Sequence, residues 1–233
     1  MNLNKLYIIH YHALSDRLNY LKEKLERFEQ HNLLQIEIDQ PEAIGKQYQG
    51  LCEKAWHEKC LYIYDPPPKP RVLARSEIAT ASSHLLAFES FCQTSFSEWL
   101  LIIEDDALWE GSLMSKLDII LSQVPSIVDV LIFGGGYPHH FVSRTIATCG
   151  NFHFKKHPAT NTTVAYGVRR RIAANVLSCT PTVDLPIDFE LAHRFLKTNS
   201  VVAHYIPYLV TEGSKSIYTS AVEHSRANLT LDQ

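Results

Sequence analysis

Leu100-Leu101-Ile102-Ile103-Glu104-Asp105-Asp106-Ala107 is the stretch that decides the fold. Four consecutive large apolar residues have no polar alternation, as in a strand buried on both faces. The run stops at three acids. Strands buried on both faces occur mainly where helices cover both sides of a sheet, and ligands in such sheets gather at the carboxyl ends of the strands.

The flanking sequence carries the same signal. Lys5 to His12 is β-branched and aromatic and predicts a buried first strand. Ser15 then caps a helix predicted over residues 16–30, with Leu18, Leu21, Leu25 and Phe28 at helical spacing. Leu33 to Asp39 alternates as a second strand. Helices are predicted over 76–92, 112–123, 171–179 and 188–198. Strands are predicted over 99–103, 128–133 and 201–206, and residues 152–156 and 162–168 read as a paired couple. Strands alternating with helices predict an α/β sandwich with a mostly parallel central sheet.

The chain has 233 residues and a formal charge of −3, with hydrophobic residues at 45%. One domain over 1–233 accommodates this, with a polar tail over 218–233. Asp65-Pro66-Pro67-Pro68-Lys69-Pro70 reads as a surface loop within it. The charge does not suggest nucleic acid as a partner. No apolar run approaches the roughly 20 residues that cross a bilayer. Polar residues come too early in MNLNKLYIIHYH for a signal peptide. Five scattered cysteines, with no CxxC pair, fit reduced thiols. The expectation is a soluble cytoplasmic protein.

Three adjacent carboxylates repel one another, and a hard divalent cation such as Mn²⁺ or Mg²⁺ would relieve that cost. Alternation along an extended segment lets Glu104 and Asp106 face one ion while Asp105 faces the other side. A solvated acidic turn accounts for the same residues about as well.

The wider pattern tips the balance. Leu73-x3-Glu77-Ile78-x-x-Ala81-x-Ser83-His84-Leu85, followed by Ile103-Glu104-Asp105-Asp106, resembles glycosyltransferase family 25. So do Ser15-Asp16-Arg17 after the first strand, Thr163-x-Ala165-Tyr166-Gly167, Pro186-x-Asp188-x-x-Leu191 and Pro207-x-Leu209-Val210. Together these cover roughly residues 5–217. Ser76, Ala79-Thr80 and Ser82 depart from the family pattern without removing a charged group.

The resemblance implies a GT-A-like nucleotide-binding fold, with a donor-binding half over about 1–136 and an acceptor-side half over about 137–217, and an inverting, metal-dependent transfer of a sugar. It also implies galactose from UDP-galactose as the donor and a lipooligosaccharide or other surface glycan as the acceptor. It places a metal on Glu104 and Asp106 and puts Asp16, Arg17, Glu77, Ser83 and His84 around the donor. Asp188, in the first turn of its predicted helix, is the leading general base; a helix cap is the competing role. Asp105 is the other candidate base. Glu77 and His84 lie two turns apart on one helix, so His84 either contacts sugar or supports the acidic loop.

Three weaker features complete the reading. Gly134-Gly135-Gly136 lacks the spacing of a phosphate cradle and reads as a close backbone approach. His139-His140 has no identified metal-binding partners. Arg169-Arg170-Arg171 and Lys155-Lys156 offer local charge for an anionic glycolipid acceptor or peripheral membrane contact, against a solvated helix start. A catalytically inactive carbohydrate- or partner-binding protein of the same fold is the alternative to an enzyme.

Overall fold

A computed structural model of the chain describes residues 6–36, 71, 73–135, 145–155, 162–179, 183–215, 217 and 218. The proline-rich run, Gly136, His139-His140, Lys156, Cys52, Cys60 and the tail beyond Tyr218 lie outside the described residues.

Eleven strands and five α-helices are described, in the order β1 (Leu6–Tyr11), α1 (Ser15–Lys24), β2 (Asn32–Ile36), α2 (Arg75–Thr94), β3 (Trp99–Glu104), β4 (Ala107–Leu108), α3 (Leu113–Gln123), β5 (Val130–Ile132), β6 (Gly134–Gly135), β7 (Thr145–Cys149), β8 (Phe152–Lys155), β9 (Ala165–Arg169), α4 (Arg170–Ser178), α5 (Ile187–Lys197), β10 (Val202–Tyr205) and β11 (Val210–Glu212). Eight of the strands form one sheet in the order β2-β1-β3-β9-β5-β10-β8-β7, and the remaining three form a small sheet, β4-β11-β6.

In the large sheet β1 is parallel to β2 and β3, and β5 is parallel to β10. β9 runs antiparallel between β3 and β5, and β8 runs antiparallel to β10 and β7. Six strands therefore point one way and two oppose them. The fold class is the predicted α/β sandwich, with a mixed sheet whose first three strands in order, β2, β1 and β3, are parallel.

The apolar runs split by parity. Tyr7, Ile9, Leu100 and Ile102 enter a core shared with Phe88 of α2, Val176 of α4 and Phe195 of α5. Leu6, Ile8, Leu101 and Ile103 enter a second core with Leu21 of α1 and Leu117 of α3. Alternate side chains of one strand thus fill opposite layers, which is why β1 and β3 show no polar alternation.

Several sequence expectations are corrected. Residues 152–156 and 162–168 do not pair with each other: β8 lies between β10 and β7, and β9 lies between β3 and β5. Adjacency along the chain does not fix adjacency in a sheet. The first helix ends at Lys24 rather than Gln30; Arg27 has φ 56°, and only a short 3₁₀ turn follows. Ser15 is the first helical residue and not a cap, whereas Ser112 caps α3 by accepting the Ser115 N–H.

The arginine run makes several contacts to the protein itself, with Arg169 buried and Arg171 exposed. Arg169 pairs with Glu98 and its Nε donates to the Val128 carbonyl at 2.7 Å. Arg170 Nε donates to the Ser97 carbonyl at 3.0 Å, and Arg171 Nε to Asp129 Oδ1 at 2.7 Å. These guanidinium groups tie the loops before β3 and β5 to the start of α4. Lys155 is also buried. No helix among the described residues is long and apolar enough to cross a membrane.

Candidate active site

β3 ends on Glu104, and the turn that follows it carries Asp105 and Asp106, so the three acids meet different partners. Glu104 continues the face of Ile102, toward α2. His84 of α2 meets it there, with Nε2 3.2 Å from Glu104 Oε1. Thr163 donates its hydroxyl to the same oxygen. The other ring nitrogen of His84, Nδ1, lies 2.8 Å from the Tyr166 hydroxyl, and the two rings are nearly parallel. Burial, with a smaller contribution from the Glu104 charge, raises the Tyr166 phenol well above its ordinary range. Tyr166 therefore stays protonated and can donate.

Asp105 lies toward α1. Its Oδ1 accepts from Arg17 Nη1 at 2.7 Å. Its Oδ2 accepts the Tyr11 N–H at 3.0 Å and sits 2.9 Å from His10 Nδ1. The acid is buried and filled by partners from β1 and α1. Arg17, placed by the resemblance at the donor, is buried too and has the Tyr218 ring over its guanidinium at 5.1 Å. Asp16, one residue earlier, is exposed in the first turn of α1.

Asp106 is held by the small sheet. Its carbonyl accepts the Gly213 N–H at 2.7 Å and its Oδ2 accepts the Ser214 N–H at 3.2 Å. A side chain at Gly213 would stand 2.6 Å from that carbonyl, so the approach needs glycine. Asp106 Oδ1 is buried and accepts no hydrogen bond from the described residues. Burial, then the Glu104 charge, pushes the Asp106 carboxyl up to about 7 against the Ser214 N–H, which favours the anion. Glu212, at the end of β11, adds to this repulsion, and its Oε1 accepts the Ser214 hydroxyl at 2.6 Å.

The glycine run lies beside this point. A Cβ on Gly134 would stand 2.6 Å from Ala165 Cβ, and one on Gly135 would strike the Tyr208 ring. The close-approach reading of Gly134-Gly135 holds.

Asp188 lies in the first turn of α5, after Pro186. It lines a small pocket of about 10 Å³, room for about one water, with Thr162, Thr163, Tyr166 and Phe195. Two of those residues bear on Glu104, Thr163 directly and Tyr166 through His84. The pocket thus borders the Glu104 network on one wall and Asp188 on another.

Glu77 and Ser83 take supporting places. Glu77 is buried, accepts two hydrogen bonds from Arg71 at 2.7 and 2.6 Å, and accepts the Ala74 N–H at 2.9 Å. It closes the N-terminus of α2 and fixes Arg71, whose charge also feels Asp188. Ser83 is buried and donates to the Ala79 carbonyl of its own helix at 3.0 Å. Of the three α2 residues, only His84 reaches the acidic loop.

Sequence reasoning gave no role to His10, Arg71, Thr163, Tyr166 or Ser214. Thr163 and Tyr166 carried a signal through their place in the quoted motif. His10 was hidden in an apolar run, where it reads as strand.

Among the described residues, no group of three or more His, Cys, Asp or Glu stands in metal-holding geometry. The residues that would hold a cation are the pair Glu104 and Asp106. It fits in one respect: a buried carboxylate oxygen with no donor lies beside a second carboxylate. Mg²⁺ in particular commonly takes one or two protein carboxylates and completes its shell with water and phosphate oxygens.

No curated protein matches the chain. Among solved structures, a glycosyltransferase involved in the glycosylation of the major capsid of PBCV-1 is 8% identical, with 97% of this chain and 98% of that one covered at a TM-score of 0.46. A197 from STIV is 9% identical, covering 89% and 83% at 0.43. UDP-glucose pyrophosphorylase complexed with UDP-glucose is 12% identical, covering 97% and 81% at 0.46. The family model described as glycosyltransferase family 25 (LPS biosynthesis protein) matches residues 3–191, and the chain belongs to that family.

Proposed function

We infer that this glycosyltransferase moves galactose from UDP-galactose onto a lipooligosaccharide or other surface glycan, with inversion and with Mn²⁺ or Mg²⁺ at Glu104 and Asp106. The observation that carries the reading is the arrangement of Asp188 and the Glu104 network around one pocket.

The chemistry asks for two things on opposite sides of a sugar carbon. The leaving diphosphate gathers negative charge, which a cation at the acidic loop would neutralise. The acceptor hydroxyl must lose a proton as it attacks. Asp188 is the base in this reading. The N-terminus of α5 and the nearby Arg71 both favour its ionised form. Asp105 is set aside, because Arg17, His10 and the Tyr11 N–H already occupy its oxygens. A proton taken by Asp105 would weaken a buried ion pair. Asp105 and Arg17 instead hold the loop against α1 so that Glu104 and Asp106 keep their positions.

The test is a panel of UDP-sugars with an acceptor glycan, with Mn²⁺ or with chelator, read as UDP release and as the anomeric configuration of the product by NMR. The reading expects turnover with UDP-galactose, loss in chelator and inversion. Equal turnover in chelator removes the cation. A retained configuration removes the single displacement. No binding of any donor restores the inactive carbohydrate-binding alternative.

A further inference from the structure

The geometry assigns Tyr166 and His84 as positioning residues that lock Glu104, by a tautomer relay, so that one of its oxygens stays turned to the cation. The assignment rests on the reading of Glu104 as a cation ligand. It adds residues that are not themselves ligands.

The relay follows from donor and acceptor chemistry. Tyr166 is fully buried and keeps its proton, and its O–H stands 2.8 Å from His84 Nδ1. A neutral imidazole carries one proton on one nitrogen. When Nδ1 accepts from Tyr166, the proton must sit on Nε2. Nε2 lies 3.2 Å from Glu104 Oε1, an acceptor. The chain of donation therefore runs one way: Tyr166 O–H to His84 Nδ1, then His84 Nε2–H to Glu104 Oε1. Thr163 donates to the same oxygen from β9's side. Glu104 Oε1 is thus occupied twice, and Oε2 accepts nothing from the described residues. The Glu104 side chain is 23% exposed while that of His84 is 0% exposed. The carboxylate is gripped by its inner oxygen and open at its outer one.

A buried histidine satisfied for packing alone would need partners but not this polarity. Partners behind the ligand are known to set metal affinity by about 10–100-fold.

The test uses the full chain labelled with ¹⁵N-histidine, cation-free, with the His84 signals assigned from His84→Gln. The wild-type spectrum decides the relay by itself. A single neutral Nε2–H tautomer is expected, and an Nδ1–H tautomer, a mixture or a doubly protonated ring overturns the relay. Tyr166→Phe removes the donor to Nδ1, so the Nδ1 resonance should move to that of an unbonded imine nitrogen while Nε2 keeps its proton. A spectrum unchanged in that variant overturns the role of Tyr166.

Mn²⁺ binding, followed by electron paramagnetic resonance in the presence of UDP, gives the second readout. Tyr166→Phe and His84→Asn should bind about 10–100-fold more weakly. His84→Gln, which places an amide N–H near the position of Nε2, should stay within a few-fold of wild type. Equal affinity in all variants overturns the positioning role. A wild type that takes up no Mn²⁺ overturns the cation reading itself, while the tautomer spectra still decide the relay.

Discussion

Arg17 and Asp105, 88 residues apart in sequence, form an ion pair at 2.7 Å in which both side chains are 8% exposed. The pair joins α1 to the turn after β3. Arg17→Met would leave Asp105 buried and facing only His10 and a backbone N–H. Breaking a buried pair from one side costs about 3–5 kcal/mol. Urea unfolding of Arg17→Met should show that loss as a lower midpoint with an unchanged slope. A midpoint equal to wild type would mean that the pair holds nothing together.

The two candidate bases separate by the same logic. Asp188→Asn should cut turnover by about 10²–10⁴-fold, the range for a lost general base, and leave the melting temperature near that of wild type. Asp105→Asn should lower the melting temperature, because an amide cannot neutralise Arg17. Paired UDP-release assays and thermal melts check both. A fully active Asp188→Asn that melts like wild type would remove the assigned base.

Much of this was legible in the sequence, and the reason is physical. β1, β3 and β5 are buried on both faces, so their apolar runs stand out without any partner in view. The alternation expected for Glu104, Asp105 and Asp106 assumed an extended segment, but the strand ends at Glu104 and the two aspartates lie in a turn. Pairing was not legible either. β9 inserts between β3 and β5 through contacts that no local pattern records. β4, β6 and β11 are two or three residues long, too short for any periodicity, yet they hold Asp106. The arginines of 169–171 looked like surface charge because composition does not say which carbonyls lie nearby. His84 was read as either a sugar contact or a support for the loop, and its partner Tyr166, with the Glu104 oxygen it shares with Thr163, came only with the structure.

The raised Asp106 carboxyl makes a statement about pH. Its folded value of about 7 lies above the ordinary 3.8. Between those values the folded chain holds a proton that the unfolded chain has released. Stability from this group is therefore present below about pH 4 and is lost as pH rises toward 7, by roughly 4 kcal/mol at most. Asp106→Asn removes that slope. Melting curves from pH 4.5 to 7.5 in chelator should fall less steeply for Asp106→Asn than for wild type, and the wild-type loss should be offset by Mn²⁺. Parallel curves for the two proteins would show that the carboxyl is not perturbed.

Gly134 tests how closely the small sheet must approach the large one. Its backbone continues from β5 and pairs with Val210 of β11, the strand that leads to Gly213 and Ser214. A methyl at Gly134 would meet Ala165 Cβ at 2.6 Å and Val164 Cγ1 at 2.9 Å. Neither neighbour is the far end of a flexible side chain, so β6 or β9 must shift. Overpacking of this kind costs about 1–3 kcal/mol. Since β9 begins two residues after Thr163 and β11 ends two residues before Ser214, the shift reaches both carboxylates. Gly134→Ala should therefore lose stability by that amount and also raise the Mn²⁺ concentration needed for half-maximal UDP release. Gly150→Ala is the contrast: that glycine lies in a turn with nothing near its Cβ position, although its φ of 56° makes any side chain strained. It should lose stability through its backbone alone and leave the Mn²⁺ requirement where it was. If both variants shift that requirement equally, the route from Gly134 to the acidic loop is wrong.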